Sequence, residues 1–243
     1  MPFVSGAGLV SEARPQSRRY PGGQAAQPLH TFATVPSPRK LLRYLRRGLI
    51  PPKRFFPGMG EAAITPEGIH LRDYPFAPSV VHPERLLTPA DIASVTFGTP
   101  LLLQVGDDFV FVSREREAAL RVFAKAHRIP ERPVNYNWSF LLDPYLDTDS
   151  DDDDRARGEL RLTASGIPPA EVAAIRDEVG GPMAYYNFGL MVWEWTFFTL
   201  YDVVCVMHAC VRPAAFADFY ARATAVERRG DRPEAWSAPA DAP

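Results

Sequence analysis

The chain predicts an α+β protein in which a small antiparallel β-sheet lobe with a closing helix packs on a mostly α-helical C-terminal lobe. Three observations carry that prediction. Residues 61–129 hold short apolar runs separated by Pro, Gly and Asp turns. Residues 130–228 hold longer apolar stretches, opened by Pro or Thr and closed by Gly. Apolar residues make up 46% and charged residues 23%, a globular balance, whereas the 25 prolines concentrate between residues 15 and 100 and after residue 230. The resulting organisation is a disordered N-terminal tail at 1–37, a basic helix and Pro-rich linker at 38–60, the sheet lobe at 61–129, the helical lobe at 130–228 and a disordered tail at 229–243.

The tail 1–37 is Gly, Pro, Gln, Ser and Arg with few apolar anchors. Ser37 and Pro38 then suit the cap and first position of a helix that stops at Gly48 before Pro51-Pro52. Leu41, Leu42 and Leu45 share one face of it, and Arg39, Lys40, Arg43, Arg46 and Arg47 occupy the rest, with Lys53 and Arg54 following. In the sheet lobe, Ala62–Thr65 and Ile69–Leu71 flank the turn Pro66-Glu67-Gly68. Ile92–Phe97 forms a third strand, and Leu101–Val105 pairs with Phe109–Val112 across Gly106-Asp107-Asp108. Ser113 caps a helix that turns Ala119, Leu120, Phe123 and Ala124 inward.

In the helical lobe, Trp138–Tyr145 is aromatic and apolar, and Thr148 caps a helix ending at Gly166. Pro168-Pro169 opens the next, which Gly180-Gly181 closes. Pro182 starts a long apolar helix reaching Val211, and Pro213 starts the last, with Phe216, Phe219 and Tyr220 as its buried stripe. Glu194 and Asp202 interrupt the apolar run from Met183 to Val211. A membrane span needs roughly 20 apolar residues, and a carboxylate at its centre costs about 2.5–3.5 kcal/mol. The run therefore reads as a buried core helix, and no membrane span is expected.

Two resemblances accompany this reading. The hairpin "ITPEGIHLRD", the strand entry "PADIASV" and the hairpin "LLLQVGDDFVFVS" leading into a helix resemble part of a pleckstrin-homology-type β-sandwich over about 70 residues. That resemblance implies a binding scaffold and transfers no functional residue. The stretches "LLDPYLDTDS", "MAYYNFGLMVWEWTFF" and "LYDVV" are similar to uncharacterised bacterial proteins in which such a hairpin region precedes a helical lobe. This second resemblance spans residues 55–228 and implies no activity.

Charge is polarised along the chain. Residues 1–60 hold ten Lys/Arg and one acid, Glu12, whereas residues 131–243 hold ten basic and nineteen acidic residues. The N-terminal part thus suits an acidic partner or the chain's own acidic lobe. Seven Lys/Arg lie within residues 39–54, with Tyr44, Phe55 and Phe56 nearby, a composition that suits phosphate backbones and base stacking, an anionic surface, or protein docking. The binding candidates are Arg39, Lys40, Arg43, Arg46, Arg47, Lys53 and Arg54.

Catalytic and metal patterns are incomplete. Asn187, Glu194, Tyr201 and His208 repeat every seventh residue, so on one continuous helix they line a single edge, beside Asp202 and Cys205. Glu194, Tyr201 and His208 are the catalytic candidates, a carboxylate, a phenol and an imidazole able to pass a proton. The aspartates at 147, 149, 151 and 153 alternate like a calcium loop, but Asp152 stands where the turn needs Gly and Gly158 where a bidentate Glu belongs. They read instead as acids opposing a helix dipole. Cys205 and Cys210 point about 140° apart on a helix, which excludes a disulfide and, with His208, a shared metal ion. No Gly-x-Ser-x-Gly elbow or phosphate loop occurs, and Gly6-Ala7-Gly8 and Gly58-Met59-Gly60 are turns. No cofactor and no metal are expected.

The N-terminus lacks the basic start and apolar core of a secretory signal, and its Arg-rich, acid-poor composition is also that of an organelle transit peptide. With no disulfide framework, a cytoplasmic location is the expectation. The functional expectation is a non-catalytic binding or adaptor protein in a multiprotein system, with a protein partner. The alternatives are an enzyme with a site on the polar edge of the 183–211 helix and a nucleic-acid-binding accessory protein using residues 39–54.

Overall fold

The structure, a computed structural model, describes residues 50–146, 152–190 and 197–230. The tail 1–37, the basic helix at 38–49 with its five Arg/Lys candidates, Asp147 to Asp151, Glu194 and residues 231–243 lie outside the described residues. The class is α+β, with two three-stranded antiparallel sheets and six α-helices among the described residues.

The first sheet runs β1 (Glu61–Thr65), β2 (Gly68–Arg72), β3 (Arg85–Leu87). The two-residue turn Pro66-Glu67 sets its register, pairing Thr65 with Gly68 and Ala62 with Leu71. The second sheet runs β4 (Ser94–Thr96), β5 (Leu101–Val105), β6 (Asp108–Val112). Gly106, at φ +61°, supplies the left-handed turn that pairs Val105 with Asp108. The third strand expected at Ile92–Phe97 is β4, shortened to three residues, and β3 is an addition the sequence pattern did not mark.

A 3-10 turn at Arg114–Arg116 leads into α1 (Glu117–His127), which buries Leu120, Phe123 and Ala124. Ala119 is exposed rather than inward, because it sits about 90° from the centre of that stripe. The following segment returns along β4: Val95 donates to Pro130 O and Arg132 N–H to Val95 O, closing that edge of the second sheet.

The helical part comprises α2 (Asn137–Leu142), α3 (Asp152–Ala164), α4 (Pro169–Ala184), α5 (Leu200–Cys210) and α6 (Pro213–Arg228). Two expectations are corrected. Gly180-Gly181 does not end α4. A Cβ at Gly180 would lie 2.5 Å from the Tyr145 hydroxyl, so glycine is there to admit Tyr145, which donates to Arg176 O across the same helix. The helix instead continues through Pro182 into a π-turn at Tyr185–Gly189. Nor does one helix run from Pro182 to Val211. Thr199 starts α5 afresh with a capping box, its N–H and hydroxyl both donating to Asp202, at 2.8 and 2.7 Å.

The core is continuous from the sheets into the helices. Phe76 is fully buried at the centre of an aromatic cluster, within 6.3 Å of Tyr74, Phe111, Tyr201, His208, Phe216 and Tyr220 ring to ring. Each such side chain removed from water contributes about 1.5–3 kcal/mol. Further on, Arg132 is clamped between the Phe109 ring and Glu227, donating to Glu227 O at 2.5 Å with the two charges 3.6 Å apart and both side chains buried.

Candidate ligand-binding site

The second sheet meets the helices at a buried carboxylate. Asp108 begins β6, whose five residues are all buried. Its Oδ2 accepts from the Ser79 hydroxyl at 2.6 Å and Val80 N–H at 2.9 Å. Its Oδ1 accepts from Phe109 N–H and the Tyr220 hydroxyl, both at 2.8 Å. Four donors on one carboxylate satisfy its buried charge. Phe111 N–H, two residues along the same edge, donates to the Tyr74 hydroxyl at 2.9 Å. Asp108, expected in an open turn, thus ties together strand β6, the loop from Asp73 to Glu84, and α6.

Both anchored elements contribute to the lining of a cavity of about 330 Å³. Ala77 and Pro78 come from the loop, and Val211, Pro213, Phe216 and Ala217 from the α5–α6 corner. Arg54 and His208 supply its polar lining. Arg54 is carried on a 3-10 turn at Pro52–Phe55, fixed because Phe55 is buried against Tyr185 and Tyr186, at 5.9 and 5.8 Å between rings. Phe55 is therefore an anchor and not a stacking surface, whereas its neighbour Phe56 is 54% exposed.

His208 sits in the last turn of α5 with its ring against Phe216 at 5.0 Å and edge-on to Phe76 at 5.6 Å. Its Nδ1 is enclosed and has no hydrogen-bond partner. Burial first, and then the nearby Arg54 guanidinium, hold its pKa below the usual histidine value, so the ring is neutral at pH 7. A helix C-terminus would favour the imidazolium; desolvation outweighs it here. Arg54 has no acidic partner among the described residues. Its field reaches Cys210 as well, where it partly offsets the burial that pushes that thiol up to about 12.

The residues singled out from the sequence are distributed as follows. Arg54 and His208, from opposite ends of the chain, meet at this cavity. Lys53 is exposed beside Arg54. Tyr201 is a full two turns from His208 and packs on Phe111 at 5.1 Å, one helical turn from Cys205. Burial holds the Tyr201 proton far above the usual phenol range. Asn187 is buried on the π-turn and donates to Tyr145 O at 2.8 Å, so the heptad edge is not one surface. The contributions that sequence reading missed are Asp108, Phe76 and the loop between β2 and β3. A lone carboxylate at the head of the apolar strand DFVFV was the available signal.

Among the described residues no group of three or more His, Cys, Asp or Glu is placed to hold a metal ion. Also among them, no helix is long and apolar enough to cross a membrane. No family model, curated protein or solved structure matches the chain.

Proposed function

We propose that the protein is a non-catalytic binding protein that serves as an adaptor for a protein partner. The observation that carries this reading is the composition of the cavity: one cation and one neutral imidazole on apolar walls, without a second acid, base or nucleophile among its described lining residues. Such a set can orient and hold a molecule, whereas proton transfer or covalent catalysis calls for paired groups. The adjoining surface supports the same reading. Phe56 packs on Tyr186, Tyr186 packs on Phe198, and Phe56, Phe188 and Phe197 are 54%, 53% and 46% exposed. Exposed aromatic side chains beside the cations Lys53 and Arg54 are the composition of an interface anchor. Free thiols at Cys205 and Cys210 suit a reducing compartment such as the cytoplasm.

The test is capture from a nuclease-treated lysate of the source organism, comparing the wild type with Phe56→Ser. A stoichiometric protein retained by the wild type and lost from the variant is the expected result. Capture that disappears on nuclease treatment would replace this reading with nucleic-acid binding through Lys53 and Arg54. Turnover of a metabolite pool, abolished by His208→Ala, would replace it with an enzyme.

A further inference from the structure

We propose that the Arg54–His208 cavity binds a small organic carboxylate with an aromatic or branched apolar body. The inference names a ligand class for the site on which the binding reading rests, but it needs no macromolecular partner.

Charge selects the ligand's sign. Arg54 carries a permanent positive charge, lines the cavity, and has no acidic partner among the described residues. A cationic ligand would be repelled, whereas an anion gains the attraction of the Arg54 charge, which a neutral ligand does not.

The imidazole adds a second donor. Nδ1 of His208 is closed off with no acceptor in reach. A neutral ring that placed its proton there would bury an unpaired N–H, so the proton belongs on Nε2. Nε2 is the nitrogen left open, and His208 lines the cavity. Edge-type contacts with Phe76 and Phe216 help to hold the ring in this pose. A guanidinium and an N–H donor facing one space match the two oxygens of a carboxylate. They are too few for a phosphate dianion, which is ordinarily held by several cations or a row of backbone N–H groups.

The walls select the rest of the molecule. Pro78, Val211, Pro213 and the Phe216 ring offer carbon only, and about 330 Å³ accommodates a ring or a branched chain beyond the carboxylate. The loop and α6, which both line the space, are tied to Asp108 through Ser79 and Tyr220, and this linkage favours a preformed site.

The experiment is titration of the purified full-length chain with phenylacetate, read by calorimetry and by the NMR signals of the His208 ring. Phenylacetamide, acetate and inorganic phosphate are the comparison probes. Saturable phenylacetate binding that perturbs His208 is expected, with phenylacetamide weaker by roughly tenfold or more, the loss of one charged hydrogen-bond pair. Arg54→Gln should weaken phenylacetate by a similar factor, while Lys125→Gln, which removes an exposed cation of α1 outside the cavity, leaves it unchanged. Because the bound anion cancels the field of Arg54, the His208 pKa should rise on binding. Absence of saturable binding in the millimolar range, equal affinity for the amide, or equal losses from Lys125→Gln and Arg54→Gln would overturn the proposal. Each of these results leaves capture through Phe56 unaffected, so the two readings fail separately.

Discussion

Replacing Asp108 by Asn tests whether the carboxylate is the joint between the sheet, the loop and α6. The side chain keeps its shape, but one acceptor oxygen becomes an NH2 group. If the amide nitrogen takes the place of Oδ1 it faces Phe109 N–H, and if it takes the place of Oδ2 it faces Val80 N–H. The hydroxyls of Ser79 and Tyr220 can rotate to accept from it, but a backbone N–H cannot. Either orientation therefore orphans one buried donor, at about 1–3 kcal/mol, and turns the surviving charge-assisted bonds into weaker neutral ones. A neutral amide is less costly to bury than a carboxylate, which returns part of the loss. The net expectation is about 2–4 kcal/mol of destabilisation, or roughly 5–15 °C in Tm for a chain of this size. Urea unfolding followed by tryptophan fluorescence and far-UV circular dichroism measures it. The slope m should stay constant, so that the midpoint alone moves. Tyr220→Phe, which leaves three of the four donors in place, should cost about 1 kcal/mol, and the double variant should cost less than the sum. An Asp108→Asn loss within about 0.5 kcal/mol of zero, or a larger loss from Tyr220→Phe, would refute the assignment of Asp108 as the joint.

Four further outcomes are expected. Gly180→Ala should destabilise by about 1–3 kcal/mol despite its better helix propensity, because the new methyl meets the Tyr145 hydroxyl, and Tyr145→Phe should recover part of the loss in a double-mutant cycle by chemical denaturation. Glu227→Gln should cost about 3–5 kcal/mol by leaving the Arg132 charge buried without its counter-charge, as read by the urea midpoint. His208 contributes to pH dependence with a definite sign: the unfolded ring takes up a proton near pH 6.5, at about its ordinary value, while the folded ring does so only at lower pH. Between those values the unfolded state binds more protons, so stability falls as pH drops below about 6.5 and levels off below the folded value. The stability difference between wild type and His208→Gln, followed across pH, isolates this contribution from that of Asp202, whose burial raises its pKa and acts in the opposite direction. Finally, Cys205 should resist a thiol reagent under native conditions while Cys210 reacts first, since Cys205 is 2% exposed and burial pushes its thiol further up.

The elements most legible in the sequence are those punctuated locally. Pro66-Glu67-Gly68 and Gly106 announce both hairpins because turn geometry restricts residue type at those positions, and Pro169 and Pro213 announce helix starts. The apolar stretch after Pro182 gave no such guidance, because hydrophobicity alone does not distinguish one long helix from two shorter segments. The Thr199-x-x-Asp202 capping box was the sign of a new start within it. Gly180 misled for a tertiary reason: it yields to Tyr145, a neighbour that no local pattern reveals. The cavity was the least legible feature. Arg54 and His208 were each visible as residues of interest, but their meeting depends on Phe55 seating the 3-10 turn and on Asp108 drawing the loop and α6 together, and both are contacts between distant parts of the chain.

The outer border of β6 has a consequence for how this protein meets copies of itself. A terminal strand normally leaves a row of free N–H groups that a second chain can join. Here Asp108 and Tyr74 take up those of Phe109 and Phe111, and the 130–132 segment occupies the opposite border along β4. Both borders of the second sheet are thereby occupied by the chain's own groups, so that among the described strands β-type self-association is left to the first sheet. The side chains that hold the molecule together at that junction also keep it from templating a polymer.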